Sequence, residues 1–360
     1  MQAGIIGLPY AGKSTIFSTL LKHKTKNDYK TRKRAEKGVV KVPDRRLKKL
    51  SDLYTPRKET RATVEYIKVP GFEATESKPT ALPGEFISNL KSVDAILMVV
   101  RAFDDEIYPH PFDRIDPQAD IEFMNSEMLL SDLAIIEKRI ERLEKSVKVE
   151  KNEGNRLELE LLEKCYDFLL EEKPLREMKL NKTEEKMLRN FQFLTSKPIL
   201  YIININEEEV ERANEIIAKF KKYESDHTAV TALSAQIEQE ISEMDTPDQK
   251  MLMEELGIEE PALHNVIRNS YSLLGLISFF TVGEDECRAW TIRNGSTARQ
   301  AGGAIHSDIE RGFIRARVTS YNDLITEGDL KACQEKGLLR QESREYTVKD
   351  GDVMEFRFNV

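Results

Sequence analysis

The chain has 360 residues, too many for one ordinary hydrophobic core and suited to two or three domains. Hydrophobic residues make up 40% of it, which is enough to fold, and the formal net charge is −8. This charge excludes a protein that coats nucleic acid by bulk attraction, although a local basic patch can still bind it. The three cysteines lie far apart without a CxxC pair, so we expect free thiols in a reducing compartment: Cys165, Cys287 and Cys333.

The first residues, MQAGIIGLPYAGKS, enter a folded motif directly and lack the charged, apolar and small-residue regions of a signal peptide. No apolar run approaches the roughly 18 residues that a membrane-spanning helix needs. We therefore expect a cytoplasmic protein with no membrane partner.

The first predicted element is a short apolar strand at residues 2–6, followed by GLPYAGKS and the helical run TIFSTLLKH. This segment matches the phosphate-loop pattern G-x-x-x-x-G-K-[ST], in which backbone N–H groups surround phosphates. Lys13 is predicted to reach the oxygens of the β- and γ-phosphates. The Ser14 hydroxyl is predicted to coordinate Mg²⁺. An ordinary glycine-rich turn is disfavoured because the strand and helix context agrees. The predicted phosphate-binding residues are Gly7, Pro9, Tyr10, Ala11, Gly12, Lys13, Ser14 and Thr15.

A basic segment follows at residues 22–37, with eight Lys or Arg against two acidic residues. It has two interpretations. One is an RNA-contacting arm near the nucleotide, and the other is a solvated loop, which charge runs usually are.

Apolar segments at residues 63–67, 95–100, 198–204 and 228–233 alternate with helix-like stretches. Continuous buried strands that alternate with helices predict a mainly parallel, doubly wound α/β sheet. Such sheets bind their ligand at the carboxyl ends of the strands. The fold predicted for this part of the chain is that of a P-loop NTPase.

The first of these strands continues as EYIKVPGF, in which Lys68 occupies the position where a nucleotide hydrolase usually keeps the aspartate that holds its magnesium. A unit charge at about 4 Å is worth roughly 4 kcal/mol at an effective dielectric of 20, and a divalent ion about doubles this. Exchanging attraction for repulsion weakens a metal site severely, so Mg²⁺ is in doubt. Alternatively, the ammonium replaces the metal and contacts phosphate directly.

A long helical stretch begins near residue 121, and its apolar residues recur at steps of four and three. This spacing predicts a seam for an antiparallel partner helix at about 156–172, after a turn at KNEGN. A projecting hairpin is expected, and packing against the main core is the alternative. The seam residues are Leu129, Leu133, Ile136, Ile140, Leu143 and Val147.

The strand at 198–204 ends in Asn204-Ile205-Asn206-Glu207, where guanine-specific members of this class carry N-K-x-D. Glu207 is one methylene longer than the aspartate of that motif, which displaces its carboxylate from the guanine ring. Each hydrogen-bond donor of the base that is left unpaired costs roughly 1 to 3 kcal/mol. Guanine selectivity is therefore expected to be weak. Alternatively, this segment simply starts the next helix, with Asn204 as its cap.

The C-terminal part contains alternating segments such as RAWTI and FIRARVTS around a helix near Ser296, and a hairpin-type turn at residues 349–352. A small β-rich module attached to an NTPase is more often a binding platform than a catalytic unit. Five arginines could contact RNA phosphates, although scattered surface arginines are common: Arg288, Arg293, Arg299, Arg315 and Arg317.

The chain resembles the YchF family of Obg-like ATPases through GIIGLPYAGKST, GVVKVPDRRLKKL, VDAILMVVRAFDD, LLSDLAIIEKRIERL, KPILYIININE and the run from RAWTIRNGSTARQAGGAIHSDIERGFIRARV to YTVKDGDVMEFRFNV. The motifs occur in the family's order across nearly the whole chain. The resemblance implies a nucleotide domain at 1–120 and 195–275, a coiled-coil hairpin insertion at 121–194 and a β-grasp TGS domain at 276–360. It also implies association with the ribosome and its RNA. We expect no DNA partner.

The same resemblance implies a preference for ATP over GTP through Asn204 and Glu207, together with Asn206 beside them. The loop lining the other side of the base would contain Ser234 and Ala235.

The resemblance also indicates where this chain departs from its relatives. The family's D-x-x-G corresponds here to residues 68–71, so the switch positions are Lys68 and Gly71, followed by Phe72. The threonine that closes over the γ-phosphate aligns near Arg32, beside Thr31. A loop histidine carries the catalytic role in the family, and His110 aligns with it. Its chemistry suits orienting a water, and a plain loop histidine is the alternative.

Two hypotheses follow. The first is a YchF-type ATPase with weak or partner-dependent hydrolysis. The second is a non-catalytic scaffold that binds the ribosome or RNA and uses nucleotide as a structural element. Lys68 favours the second hypothesis, while Gly12-Lys13-Ser14 and His110 favour the first.

Overall fold

The computed structural model describes residues 1–22, 35–70, 83–149 and 152–359. These residues form two compact units, one comprising Met1–Gly38 and Glu65–Val266, the other Val39–Val64 and Ile267–Val360. Residues 39–64, predicted to belong to the nucleotide domain, cluster with the C-terminal unit.

The strands, numbered along the chain, are β1 (Gln2–Ile6), β2 (Glu36–Lys41), β3 (Lys58–Thr60), β4 (Thr63–Lys68), β5 (Ala95–Ala102), β6 (Ile199–Ile205), β7 (Thr228–Leu233), β8 (Leu276–Thr281), β9 (Glu286–Arg293), β10 (Phe313–Ser320), β11 (Arg340–Glu342) and β12 (Asp352–Phe358). The helices are α1 (Lys13–Leu21), α2 (Arg45–Tyr54), α3 (Gly84–Lys91), α4 (Pro117–Val149), α5 (Glu153–Leu170), α6 (Lys182–Leu188), α7 (Ala213–Lys219), α8 (Ala235–Glu243), α9 (Thr246–Glu255), α10 (Ala262–Leu273), α11 (Ala298–Ile305), α12 (Ser307–Arg311), α13 (Tyr321–Glu327) and α14 (Leu330–Glu335).

The first unit is built on a sheet of order β2-β4-β1-β5-β6-β7 within the described residues. Strand β1 pairs in parallel with β4 and β5, and β5, β6 and β7 continue the parallel array. Every residue of β6 is buried, as expected for a strand covered on both faces. The predicted doubly wound α/β sheet is therefore confirmed, and the carboxyl ends of β1, β4, β5 and β6 meet at one edge.

Helices α4 and α5 pack as an antiparallel pair. Asn155 at the start of α5 bonds Ser146 near the end of α4 at 3.0 Å, and Arg139 forms a two-pronged ion pair with Glu158. Asn152 caps α5 by accepting from the first backbone N–H groups. The apolar core between the helices is a cluster of its own, and it contains five predicted seam residues: Leu129, Leu133, Ile136, Ile140 and Leu143.

The second unit contains a mixed sheet of order β11-β10-β12-β8-β9-β3, counted over the described residues. Cys287 of β9 lies 3.9 Å from the Leu50 carbonyl of α2. Trp290 and Ile292 of the same strand share a core cluster with residues of α11. Because successive side chains of a strand point to opposite faces, α2 and α11 cover opposite faces of this sheet.

Arg46 gives the physical reason why residues 39–64 join the second unit. Its guanidinium lies 2.7 Å from Asp350, is bonded to Asp44, and stacks 5.2 Å from the ring centre of Phe280. Asp350 also accepts from the Ser278 backbone N–H at 2.9 Å. A charged group held by several such contacts fixes α2 against the sheet.

The predicted turn at 349–352 forms, since the Asp352 N–H donates to the Lys349 carbonyl and Gly351 has φ 90°. It does not close a hairpin, because β12 pairs with β10 and β8. No helix among the described residues combines the length and apolar character required to span a bilayer.

Candidate functional site

The two outer glycines of the phosphate loop occupy positions that no side chain fits. Gly7 follows β1 with φ 150°, and a Cβ there would lie 2.2 Å from the Val99 carbonyl oxygen. Gly12 has φ 96°, and a Cβ there would lie 2.2 Å from the Asn204 amide nitrogen. The glycines of the motif thus allow the loop to pass close to β5 and β6.

Lys13 begins α1, at the positive end of the helix dipole. Its ammonium donates to the Leu8 carbonyl at 2.6 Å, so it lies folded over the loop. The residue as a whole is half-buried, and burial of its ammonium lowers its pKa to about 8, with the positive charge of Lys68 as the second cause. The two lysines are therefore close enough to repel one another.

The remaining loop residues differ in exposure. Pro9 and Ala11 are buried, and Ser14 is exposed at the start of α1. Thr15 is half-buried, and its carbonyl accepts from the Thr19 hydroxyl at 2.8 Å. The Ser14 hydroxyl is thus placed where it can contact a ligand.

Tyr10 is the most unusual residue of the loop. It is 45% exposed with φ 62°, and its ring stacks on that of Tyr108 with 5.2 Å between centroids. Arg101 at the end of β5 donates to the carbonyls of Phe103 and Tyr108, which anchors the segment that carries this ring. Arg101 is 1% exposed, and burial, its largest influence, lowers its pKa. We did not predict this role, although a charge ending an apolar strand was a usable signal.

Asn204 joins the predicted phosphate and base sites. Its amide nitrogen donates to the Ala11 carbonyl at 3.0 Å, and its oxygen accepts from the Ala235 N–H at 2.9 Å. Ser234 precedes Ala235 and caps α8. A side-chain amide has two N–H donors, so one remains for a ligand.

The interpretation that Asn204 caps the next helical turn is wrong. Asn206 is the cap, since its side chain accepts from the Glu207 N–H at 3.0 Å. Asn206 is exposed and Glu207 is half-buried. The Glu207 carboxylate has no hydrogen bond or ion pair with another described residue, so both of its oxygens can accept from a base.

Lys68 ends β4, in register with Ile5 of β1, two residues before Gly7. Its ammonium lies 2.7 Å from the Glu36 carboxylate and 5.6 Å from the centre of the Phe17 ring on α1. The Lys68 side chain is 10% exposed and that of Glu36 is 36% exposed. Glu36 was missing from the predicted site because its partner lies on another strand.

His110 is buried, with both ring nitrogens engaged. Nε2 lies 2.8 Å from the Asp120 carboxylate, and Nδ1 accepts from the Phe112 N–H at 3.2 Å. An accepting Nδ1 means that Nε2 carries the proton and donates to Asp120. Arg114 contacts the other oxygen of Asp120 at 3.2 Å. In this arrangement neither nitrogen is available to orient a water.

Several predicted positions lie outside the described residues. These are Thr31, Gly71, Phe72 and residues 23–34 of the basic segment.

The five predicted RNA-binding arginines do not form one cluster. Arg288 and Arg293 lie on β9, while Arg315 and Arg317 lie on β10, three positions away in the sheet order. Three strand spacings amount to about 14 Å. Arg317 is also paired with Glu355, which reduces its charge toward a ligand. Arg299 of α11 donates to the Glu310 carbonyl of α12 at 3.3 Å.

The residues around the phosphate loop fit a nucleotide and do not fit Mg²⁺. Backbone N–H groups at the start of α1, the Lys13 ammonium and the spare Asn204 donor suit phosphate and base. The Lys68 ammonium lies where a metal-binding carboxylate is needed. Over the described chain, no three His, Cys, Asp or Glu side chains converge as a metal site.

Comparison with known proteins agrees with this architecture. The family model for the C-terminal region of YchF GTPases, described as a protein of unknown function, matches residues 276–359, and the 50S ribosome-binding GTPase model matches residues 2–138. The proteins named ribosome-binding ATPase YchF from Bacillus subtilis and Escherichia coli O157:H7 are 42% and 39% identical to the chain. The alignments cover 100% of this chain, and 100% and 99% of those relatives.

Solved structures give the same result. The YchF GTPase of Schizosaccharomyces pombe superposes with a TM-score of 0.86 at 30% identity, covering 99% of this chain and 97% of that one. A GTP-binding protein from Pyrococcus horikoshii, 20% identical, shares the fold with a TM-score of 0.61 over 100% of both chains. This chain belongs to the YchF family.

Proposed function

We propose that this chain is a cytoplasmic nucleotide-binding protein that prefers ATP to GTP, associates with the ribosome, and hydrolyses nucleotide weakly or only with its partner. The observation that carries nucleotide binding is the loop itself. Gly12 brings the chain against Asn204, and Lys13 then starts α1 with its ammonium over the loop. Backbone donors, a helix N-terminus and a cation thus surround one anion position.

The preference for ATP rests on Asn204 and Glu207. Asn204 keeps one amide N–H for the base after bonding Ala11 and Ala235. The Glu207 carboxylate extends one methylene further than an aspartate, which displaces it from a two-pronged contact with guanine. A donor of the base left unpaired costs about 1 to 3 kcal/mol, so GTP loses affinity relative to ATP.

Ribosome association rests on the relatives, which are named ribosome-binding ATPases and align with the whole chain. The arginines of β9 and β10 are candidate contacts with ribosomal RNA, provided that two separate positions are used rather than one patch.

Weak or partner-dependent hydrolysis rests on two features. His110 is held between Asp120 and the Phe112 N–H, so it needs a rearranged loop before it can orient a water. Lys68 replaces the usual metal-binding acid, so no Mg²⁺-dependent step is assigned to this site. If Mg²⁺ were bound, the exposed Ser14 hydroxyl would be the motif group best placed to hold it, and the ion would supply charge neutralisation to the phosphates.

The second candidate function is a scaffold that binds the ribosome without catalysis. The engaged nitrogens of His110 and the Lys68–Glu36 pair favour it, whereas the complete phosphate loop favours an ATPase.

The test is titration of ATP and GTP into the purified chain by calorimetry, with Lys13→Gln as the variant and Lys22→Gln, at the other end of α1, as its control. We expect ATP to bind more tightly than GTP, and Lys13→Gln to weaken ATP at least tenfold, because a charge-assisted hydrogen bond is worth about 1.5 to 3 kcal/mol. Equal affinities in the two lysine variants would place the phosphates elsewhere.

Co-sedimentation with ribosomes tests the partner. We expect the chain to pellet with ribosomes and to be released by added salt, since RNA contacts depend on counterion release. A chain that stays in the supernatant at low salt contradicts the proposed partner.

A further inference from the structure

Lys68 and Glu36 form an ion pair beside the phosphate loop. The two charged atoms are 2.7 Å apart, and they join β4 to β2 at the edge of the sheet. The Lys68 ammonium also faces the Phe17 ring, which lies one helical turn after Lys13 on α1. The pair is therefore next to the anion position rather than at a distant edge.

We propose that Lys68 takes the place of the metal ion, being held by Glu36 while the site is free of phosphate and transferring to a terminal phosphate oxygen when nucleotide binds. This inference rests on the proposed nucleotide-binding function. It adds Glu36 as the residue that competes with the nucleotide for the cation, and it makes ATP binding independent of divalent metal.

Lys68 lies next to the phosphate loop, so its ammonium has only a short path between Glu36 and a bound phosphate. Lys68 lies opposite Ile5 in the β1–β4 register, and the N–H of Val69, the residue after β4, donates to the Ile5 carbonyl at 3.1 Å. The phosphate loop begins two residues after Ile5. Lysine has a flexible four-carbon stem and three rotatable donors, so its ammonium can change partner without backbone movement.

The exposure of the two side chains makes the exchange asymmetric. The Lys68 side chain is 10% exposed, and an ammonium buried to that extent is costly without an anionic partner. The Glu36 side chain is 36% exposed, so water can solvate its carboxylate once Lys68 has left. A phosphate oxygen can therefore replace Glu36 as partner, and the carboxylate released is hydrated at little cost.

Lys13 contributes to the same exchange. Its ammonium is near enough to Lys68 for the two positive charges to repel, and its own partner, the Leu8 carbonyl, is neutral, so the charge of Lys13 has no anionic partner while the site is free of phosphate. A phosphate bearing several negative charges neutralises both ammonium groups together. Two cations converging on one anion thus replace the usual pairing of one lysine with one divalent ion.

The experiment measures ATP affinity by calorimetry in EDTA and again with Mg²⁺, for the wild-type chain, Glu36→Gln and Lys68→Met. Glu65→Gln is the matched control, because Glu65, on β4, is a similarly exposed carboxylate that also pairs with a lysine, Lys37, at 4.0 Å. Thermal melting of each variant without nucleotide checks that it folds.

We expect wild-type ATP binding to persist in EDTA. Glu36→Gln should tighten ATP binding in EDTA about fivefold, the value of a partly exposed ion pair, and Glu65→Gln should not change it. Lys68→Met should weaken ATP binding in EDTA at least tenfold.

Three results would overturn the inference: loss of wild-type ATP binding in EDTA, equal affinities of Glu36→Gln and Glu65→Gln, or unchanged affinity of Lys68→Met. These results leave the proposed function intact as long as the wild-type chain binds ATP with Mg²⁺ present and Lys13→Gln weakens that binding at least tenfold. A wild-type chain that binds no nucleotide under either condition rejects both proposals.

Discussion

Asn204 offers the sharpest test of how the site is assembled. Its side chain is 3% exposed and holds the Ala11 carbonyl and the Ala235 N–H at 3.0 and 2.9 Å. Asn204→Ala leaves both groups without this partner, and Ala235 is itself 4% exposed. An unsatisfied buried group costs about 1 to 3 kcal/mol, so we expect a loss of roughly 3 kcal/mol in the free energy of unfolding of the first unit.

The assay is urea unfolding followed by far-ultraviolet circular dichroism, because the single tryptophan, Trp290, lies in the second unit and its fluorescence does not report on the first. Two units can unfold in separate transitions, so each transition is fitted on its own. Asn206→Ala is the matched control, since this exposed cap is worth about 1 kcal/mol. We also expect Asn204→Ala to bind ATP more weakly than Asn206→Ala does, because it loosens the phosphate loop as well.

Asn204→Asp separates the two hydrogen bonds. It keeps an acceptor for the Ala235 N–H, replaces the donor to Ala11 by a second acceptor and buries a carboxylate, so it should be destabilising through the lost donor and the buried charge while the Ala235 contact persists. If Asn204→Ala and Asn206→Ala differ by less than about 0.5 kcal/mol, the two hydrogen bonds do not hold the site together and the reasoning fails.

Two further predictions concern buried groups. Glu238 accepts from the N–H groups of Ala262 and Leu263 at 2.7 and 3.1 Å, and its burial raises its pKa from 4.5 to about 7. The folded state therefore binds this proton more tightly, and the free energy of unfolding should fall by about 3 kcal/mol as pH rises from 4.5 through 7. Urea midpoints across this range should fall less steeply for Glu238→Gln, and parallel slopes would contradict the assignment. His110→Ala should abolish ribosome-stimulated ATP hydrolysis while leaving ATP affinity within about twofold. It should also cost roughly 2 kcal/mol of stability, because the buried Asp120 keeps Arg114 but loses its 2.8 Å contact with His110. Phosphate release and calorimetry measure the first two effects, and retained turnover would assign His110 a structural role.

The sequence by itself determined the elements whose signals are local. The phosphate loop is contiguous, and its glycines and lysine carry their meaning within eight residues. The parallel sheet followed from apolar runs of strand length, and the α4–α5 pairing followed from a regular apolar seam. In each case the signal lies in residues that are close along the chain or in apolar residues that recur at a regular spacing.

Only the tertiary structure decided the pairings between distant residues. Asn204 reaches Ala11 across 193 positions, and Arg46 reaches Asp350 across 304, which is why residues 39–64 join the second unit. Glu36 pairs with Lys68 on the neighbouring strand, and His110 pairs with Asp120 on the following helix. Hydrogen bonds and ion pairs depend on distance and direction in space, and no sequence pattern specifies these before the strands are placed side by side.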